Sequence, residues 1–340
     1  MRVVQAMAGA PTGGAEEFFM RLVPGLSEAG VEQAAIIRTH ETRARILHDA
    51  GVSTQQLRFG GPLDVLSRMA YRRAIHQADP DIVMTWMNRA SGQCPKGDFI
   101  QVGRLGGFYD LKYYAGCDHL VGNTQGIVSY LVGQGWPMER AHYISNFVDT
   151  SYAVPVERST LETPDGVPVM LALGRLHPNK AFDVLIEAMT DLPDVWLWLA
   201  GDGPLADLLR RHARDRGVET RIRFLGWRDD VGALLAAADL LVCPSRHEPL
   251  GNVVLEAWAR QVPIVAAASQ GPSELIVDGE TGLLAPVEDA RALSRQIKHA
   301  LDDRDAAADM TEKALKAYEA GFSKDAIVGQ FKALFEMVTR

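Results

Sequence analysis

Cysteine is scarce in this chain, with three residues, Cys94, Cys117 and Cys243, among 340. They are far apart and odd in number, which excludes a disulfide framework and a zinc-binding spacing. No stretch of eighteen or more apolar residues occurs, so no segment reads as a membrane-spanning helix. Met1-Arg2-Val3-Val4-Gln5 enters a short apolar run that Gly9 ends, without the long apolar core of a signal peptide. Positive charge is not in excess: 35 Lys and Arg stand against 43 Asp and Glu, a net of −8. An acidic chain without a basic stripe is a poor nucleic-acid binder. These absences give a cytoplasmic protein as the expectation, with no nucleic-acid partner.

What is present is the composition of a globular protein too long for one ordinary core, so two domains are expected. The charge is divided unevenly. Residues 1–150 carry 14 cations and 14 anions, and residues 151–340 carry the whole net charge. Short apolar runs alternate with amphipathic stretches. Val3-Val4, Asp81–Trp86, His119–Gly122 and His142–Ser145 read as strands in the first half. Val169–Gly174, Val195–Gly201, Ile222–Leu225, Leu240–Pro244 and Pro263–Ala267 do so in the second. Continuous apolar character suits strands buried on both faces. Helical periodicity falls between them at 183–190, 204–216, 230–237 and 252–260, which implies parallel βαβ units. A helix from Ala15 contains Pro24-Gly25, where a kink or break is expected. Residues 151–167, rich in Pro, Gly and charge, read as a linker. The expected organisation is a doubly wound domain over 1–150, the linker, and a second over 168–322. An amphipathic helix closes the chain within 323–340.

Three segments carry candidate chemistry. Leu173-Gly174-Arg175-Leu176-His177-Pro178-Asn179-Lys180 follows a strand and opens a helix. In open α/β sheets, ligands sit at the carboxyl ends of strands. Arg175 and Lys180 could both reach a diphosphate there, the guanidinium bidentately and the ammonium as a point charge. Taken alone, two solvated loop cations are the better account. Ala200-Gly201-Asp202-Gly203-Pro204 is a strand–helix turn whose glycines would let backbone pass close to a ligand. The third segment runs from Cys243-Pro244-Ser245-Arg246-His247-Glu248 through Pro249, Leu250, Gly251, Asn252, Val253, Val254 and Leu255 to Glu256. Gly251 and the first amides of the following helix form an anion-binding end. Glu256 lies about one turn inside that helix among apolar residues, where a carboxylate needs a partner or a ligand. A ribose diol would serve. Glu248 could bind sugar hydroxyls, or be a solvated loop residue.

In combination and in order, these segments resemble the retaining glycosyltransferases of the GT-B fold, the large family numbered 4. The likeness runs from Gly174 to Leu284. It also takes in Phe224-Leu225-Gly226-Trp227, Ala238-Asp239, Pro263-Ile264-Val265-Ala266, Glu274-Leu275-Ile276, Asp278-Gly279 and Thr281-Gly282-Leu283-Leu284. Glu248 and Glu256, with seven residues between them, fit the family's paired-glutamate motif. The resemblance implies two Rossmann-like domains facing a central cleft. It places Arg175 and Lys180 on the donor diphosphate, Glu256 on the ribose and Glu248 on the transferred sugar. In the first half, Pro11-Thr12-Gly13-Gly14-Ala15-Glu16 resembles the family's first loop, where glycines approach the donor. Asn146 and Asp149 resemble the ending of its first domain. The family's final helix usually crosses back onto that domain.

There are departures. Ala181 stands where a glycine usually follows the lysine, which is tolerable if the local φ is negative. Val102–Asp110 lacks a first-domain His that many relatives have. Arg104 or Asp110 could fill part of its role in contacting sugar or acceptor, or Arg104 could be structural.

The expected activity is therefore hexosyl transfer from a nucleotide diphosphate sugar, UDP foremost, to a glycan or lipid-linked acceptor in envelope polysaccharide or lipopolysaccharide synthesis. Arg175, Lys180 and the helix end near Gly251 would stabilise the leaving diphosphate without a metal or other cofactor. Arg68, Arg72 and Arg73, with Met69 and Tyr71 nearby, could touch anionic lipid at the inner face of the membrane. A solvated helix face is the better account of them. A nucleotide-sugar epimerase or hydrolase on the same architecture is the alternative. A nicotinamide-dependent dehydrogenase is disfavoured, because Gly9-Ala10-Pro11-Thr12-Gly13-Gly14 is not Gly-x-Gly-x-x-Gly.

Overall fold

The computed structural model describes residues 1–11, 13–60 and 64–339, so Thr12 of the first loop lies outside the described residues. The chain forms two compact units, one of Met1–Val148 with the C-terminal residues from Phe322, the other Asp149–Gly321.

In the first unit, β1 (Arg2–Met7), β2 (Glu32–Arg38), β3 (Ser53–Leu57), β4 (Ile82–Trp86), β5 (Ile100–Leu105), β6 (His119–Gly122) and β7 (Ala141–Tyr143) alternate with helices. These helices are α1 (Gly14–Glu28), α2 (Glu41–Asp49), α3 (Val65–Ala78), α4 (Met87–Gln93) and α5 (Gln125–Gly133). The sheet order is β3-β2-β1-β4-β5-β6-β7, and the pairings are parallel, with Val4 opposite Val83. Every residue of β4 is buried, as its unbroken apolar run requires.

The second unit runs β8 (Val169–Leu173), α6 (Phe182–Ala188), β9 (Trp196–Ala200), α7 (Ala206–Asp215), β10 (Ile222–Gly226), α8 (Val231–Ala237) and β11 (Leu240–Cys243). It continues with α9 (Asn252–Ala259), β12 (Ile264–Ala267), α10 (Gln270–Leu275), β13 (Leu283–Ala285), α11 (Ala290–Asp302) and α12 (Arg304–Gly321). Its parallel order, β10-β9-β8-β11-β12-β13, reverses between β8 and β11. That reversal is the topological switch point, outside which doubly wound sheets bind ligands. The last helix, α13 (Lys324–Val338), buries Ile327, Val328, Phe331, Leu334 and Phe335 in the same core cluster as Phe18, Phe19 and Leu22 of α1.

Several elements differ from the sequence reading. β2, β3, β5 and β13 were not visible as apolar runs. β3 is Ser-Thr-Gln-Gln-Leu at a sheet edge, and β5 is interrupted by Gln101, Gly103 and Arg104. α1 runs through Pro24 without a break. Its apolar face, with Phe18, Phe19, Leu22, Val23 and Leu26 wholly buried, outweighs the lost hydrogen bond. Residues 151–167, read as a linker, belong to the second unit. Arg158 there bonds the Ala237 carbonyl at 2.7 Å and Asp239 at 2.9 Å, and Thr163 accepts from the Trp198 indole at 2.9 Å. The polar residues that suggested a solvated linker are used as anchors.

Candidate functional site

The loops that leave β8 and β11 flank the switch point, and the side chains expected to hold a donor lie on them. Gly174 leaves β8 with its amide on the Ala200 carbonyl at 3.0 Å. Lys180 folds back over it, so that a Cβ on Gly174 would meet Lys180 Cε at 3.1 Å. At Gly201 a Cβ would lie 1.9 Å from the Gly174 carbonyl oxygen, so no other residue fits. Gly203 also passes close to Leu176, where a Cβ would be 2.6 Å from its oxygen. The glycines expected to approach a ligand thus approach the first donor loop and fix its path.

Lys180 forms an ion pair with Glu248, joining the two loops; their side chains are 23% and 13% exposed. Burial opposes the charge on Lys180, but Glu248, reinforced by Glu256, outweighs it and holds the ammonium above its ordinary range. Ser245, buried at the end of β11, donates to the same Glu248 oxygen at 3.1 Å. The Gly271 amide holds the Glu248 carbonyl at 2.8 Å. Pro249 and Leu250 lead to Gly251, whose φ of +85° forms the N-cap of α9. Asn252 and Val253 open that helix, with no side-chain bond at its cap. Glu256 stands further along it, partly exposed. Arg175 is exposed and forms no ion pair among the described residues. One face thus gathers Lys180, a paired glutamate, a second glutamate and helix amides, an arrangement suited to a phosphorylated polyol.

Sequence reasoning missed the residue that ties these loops together. Arg246 grips both Asp183 oxygens, at 2.9 and 2.6 Å, and bonds Glu288 at 2.6 Å and the Pro178 carbonyl at 2.9 Å. Burial alone would raise the Asp183 pKa, but Arg246 reverses this and holds it below the carboxylate range. The available signal was an arginine beside the motif and an aspartate in the first turn of α6. Ala181 is the clearest correction. Its φ is +53°, not negative, so an alanine occupies the left-handed conformation that glycine favours.

The first-unit residues have their own surroundings. Gly13 and Gly14 lead into α1 after β1. Glu16 is buried there and accepts from the Ala10 amide at 2.6 Å, which makes it a brace of the first loop. Arg104 sits on β5, buried, with its guanidinium 4.5 Å from the Phe18 ring and 4.8 Å from the Trp86 ring, and bonded to Asn146. Burial lowers its pKa to about 9. Asp110 caps the turn Leu111–Tyr113 through the Lys112 amide and pairs with the Lys112 ammonium at 2.7 Å. Its surroundings give it a local structural task.

The two doubly wound units define a protein of the GT-B type. Residues 154–317 match the family model described as glycosyl transferases group 1. The chain is 40% identical over 326 residues, 95% of each chain, to lipopolysaccharide core biosynthesis glycosyltransferase LpsE of Rhizobium meliloti (strain 1021). It is 32% identical over 327 residues, again 95% of each, to LpsD of the same organism, which bears the same description. The protein belongs to the group 1 glycosyl transferases. Among solved structures, Anabaena HepE in complex with UDP and glucose superposes with a TM-score of 0.86 at 20% identity, over 99% of this chain and all of that one. Neither full-length relative is an epimerase or hydrolase, so that alternative finds no support.

Proposed function

We propose that this glycosyltransferase moves a hexosyl residue from a UDP-sugar to the saccharide core of a lipopolysaccharide, with retention of anomeric configuration and without a resident metal. The observation that carries the reading is the Lys180–Glu248 pair at the switch point, beside Glu256 and the amide end of α9. The similarity to LpsE and LpsD, both lipopolysaccharide core biosynthesis glycosyltransferases, supports the acceptor class.

In this reading the diphosphate displaces Glu248 from Lys180 and takes the ammonium, Arg175 and the α9 amides. Glu248 turns to the hydroxyls of the transferred sugar, and Glu256 accepts from the ribose diol. As the bond from C1 to the diphosphate breaks, its electron pair and charge pass to the β-phosphate oxygen. The acceptor hydroxyl forms its bond to C1 on the same face and gives its proton to that departing oxygen. Lys180 and Arg175 supply the positive charge a metal would otherwise provide. The first unit takes the acceptor. The enzyme works at the cytoplasmic face, where Leu66 and Met69, 79% and 64% exposed on α3, meet lipid beside Arg72 and Arg73.

The test is a donor screen with UDP-, GDP- and ADP-hexoses on purified core acceptor, with and without EDTA, the product anomer read by NMR. UDP-sugar turnover with retained configuration, indifferent to EDTA, is expected. Inversion, or activity lost to EDTA and restored by a divalent ion, overturns the mechanism.

A further inference from the structure

The first unit carries a cavity that the proposed donor site does not use, with cationic and amide side chains in its lining. It has a volume of about 410 Å³ and is lined by Gly60, Arg68, Asn88, Arg89, Gln93 and Tyr113, among others. That volume lies within the range of small-molecule sites, roughly 300–1,000 Å³. Its walls follow the carboxyl ends of the parallel strands: Gly60 comes after β3, α4 leaves β4 directly, and Tyr113 lies in the turn after β5. This is the edge where doubly wound sheets take their ligands.

Two guanidiniums face no carboxylate of this wall. Arg68 makes no side-chain hydrogen bond or ion pair among the described residues. Arg89 spends one Nη1 hydrogen on the Phe59 carbonyl at 2.9 Å and is otherwise uncommitted. Two acids of the neighbouring segments are already used. Asp64 accepts from the Gly60 amide at 3.0 Å and from the Ser67 amide and hydroxyl at 3.0 and 2.6 Å. Asp110 is held by Lys112 at 2.7 Å. Neutral groups stand beside the cations. Asn88 accepts from the Tyr114 hydroxyl at 2.9 Å, which leaves its NH₂ to donate, and Gln93 has no partner among the described residues. Tyr113 is 39% exposed, with the Lys112 ammonium 5.0 Å from its ring centroid on one side.

Paired guanidiniums recognise tetrahedral or planar oxyanions, amides recognise hydroxyls, and an aromatic face takes the apolar face of a sugar ring. We infer that this cavity binds the acidic group of the acceptor saccharide, a phosphate ester or a sugar carboxylate, with Arg68 and Arg89 on the anion and Asn88, Gln93 and Tyr113 on the ring that bears it. The inference rests on the saccharide-acceptor reading above and adds that acceptors are selected by negative charge.

The test measures binding by calorimetry on the full-length protein with lipid-free core oligosaccharide in three forms: untreated, dephosphorylated, and carboxyl-reduced. Arg68→Gln and Arg89→Gln are compared with the parent, and the affinity for UDP reports whether the donor site is intact. Arg68→Gln is expected to weaken the untreated form about tenfold, equivalent to about 1.4 kcal/mol, with UDP affinity unchanged. One chemical treatment is expected to weaken the parent equally and to abolish the effect of the variant. Which treatment does so separates phosphate from carboxylate. Equal affinity for all three forms, or an equal loss for all three in the variant, overturns the inference and leaves sugar transfer standing. No binding by any form, with UDP bound and no transfer to core acceptors, overturns the inference together with the proposed acceptor.

Discussion

At the level of single residues, the proposed donor site turns on one ammonium. Lys180 is held charged by Glu248 and Glu256 against the cost of its burial. In the proposed reaction, replacing it with alanine removes a preorganised cation aimed at the leaving diphosphate, worth on the order of 3 kcal/mol in the transition state. Lys180→Ala is expected to lower kcat about a hundredfold with its circular dichroism unchanged, since Glu248 keeps the Ser245 hydroxyl. Near-parental turnover would reject the role. Glu256→Gln is expected to weaken UDP binding in calorimetry, and unchanged affinity would reject the ribose contact.

Ala181 shows where reading residues one at a time stops. Its type was visible, but the sign of its φ was not, because alanine defaults to negative φ and the surroundings here enforce a positive one. The strain of a non-glycine residue in that region is about 1–2 kcal/mol. Its fully buried methyl returns roughly 0.8 kcal/mol. Ala181→Gly should therefore change stability by no more than about 1 kcal/mol. Ala181→Val adds branching at positive φ and overpacks a closed site, and should destabilise by about 2 kcal/mol or more. Denaturant midpoints check both, and a valine variant as stable as the parent would refute the strain.

At the level of elements, the buried strands and amphipathic helices of the second unit were legible because their periodicities are unmixed. Strands whose tasks are mixed were not. β3 is polar at an edge, and β5 carries the buried Arg104 that aromatic rings and Asn146 accommodate. The unbroken course of α1 was also hidden, since it depends on the core beneath it. An interior proline costs a helix about 3 kcal/mol. Pro24→Ala is thus expected to raise the unfolding midpoint of the first unit by an amount corresponding to about 2 kcal/mol.

The β6–β7 edge holds a pair no motif announced. His119 Nδ1 and His142 Nε2 stand 3.0 Å apart. Burial lowers both pKa values, and the proximity of His119 helps take His142 from 6.5 to about 4. Asp118 favours the charge on His119 and Arg140 opposes it, without restoring the ordinary value. Between about pH 6.5 and 4 the unfolded chain binds protons that the folded pair refuses, so stability present above 6.5 is lost as pH falls. His142→Gln should flatten that acid limb in denaturation curves measured from pH 7 to pH 4. An unaltered limb would clear the pair of responsibility.

At the level of the whole molecule, the order of the units along the chain is not their order of assembly. The final helix follows the second unit in sequence, yet its apolar face is part of the first unit's core. Sequence periodicity showed a helix with one apolar stripe. Only the resemblance to a known family said which core it would join, because an apolar stripe carries no address. Phe331 and Phe335 are wholly buried, and burying such a side chain contributes roughly 1.5–3 kcal/mol. Five residues of α13 enter that core, so their combined contribution is comparable to the net stability of an ordinary domain, about 5–15 kcal/mol. A chain ending at Gly321 should therefore lose amide protection in β1, β4 and α1 of the first unit. The second unit has a separate core running from Met170 to Met310. It should keep its protection and, in the proposed donor reading, its affinity for UDP, because Lys180, Glu248 and Glu256 all lie within it. Hydrogen exchange with UDP titration distinguishes the cases. Simultaneous loss of protection in both units would mean that they fold as one cooperative body, and that the donor site depends on the helix as much as the first core does.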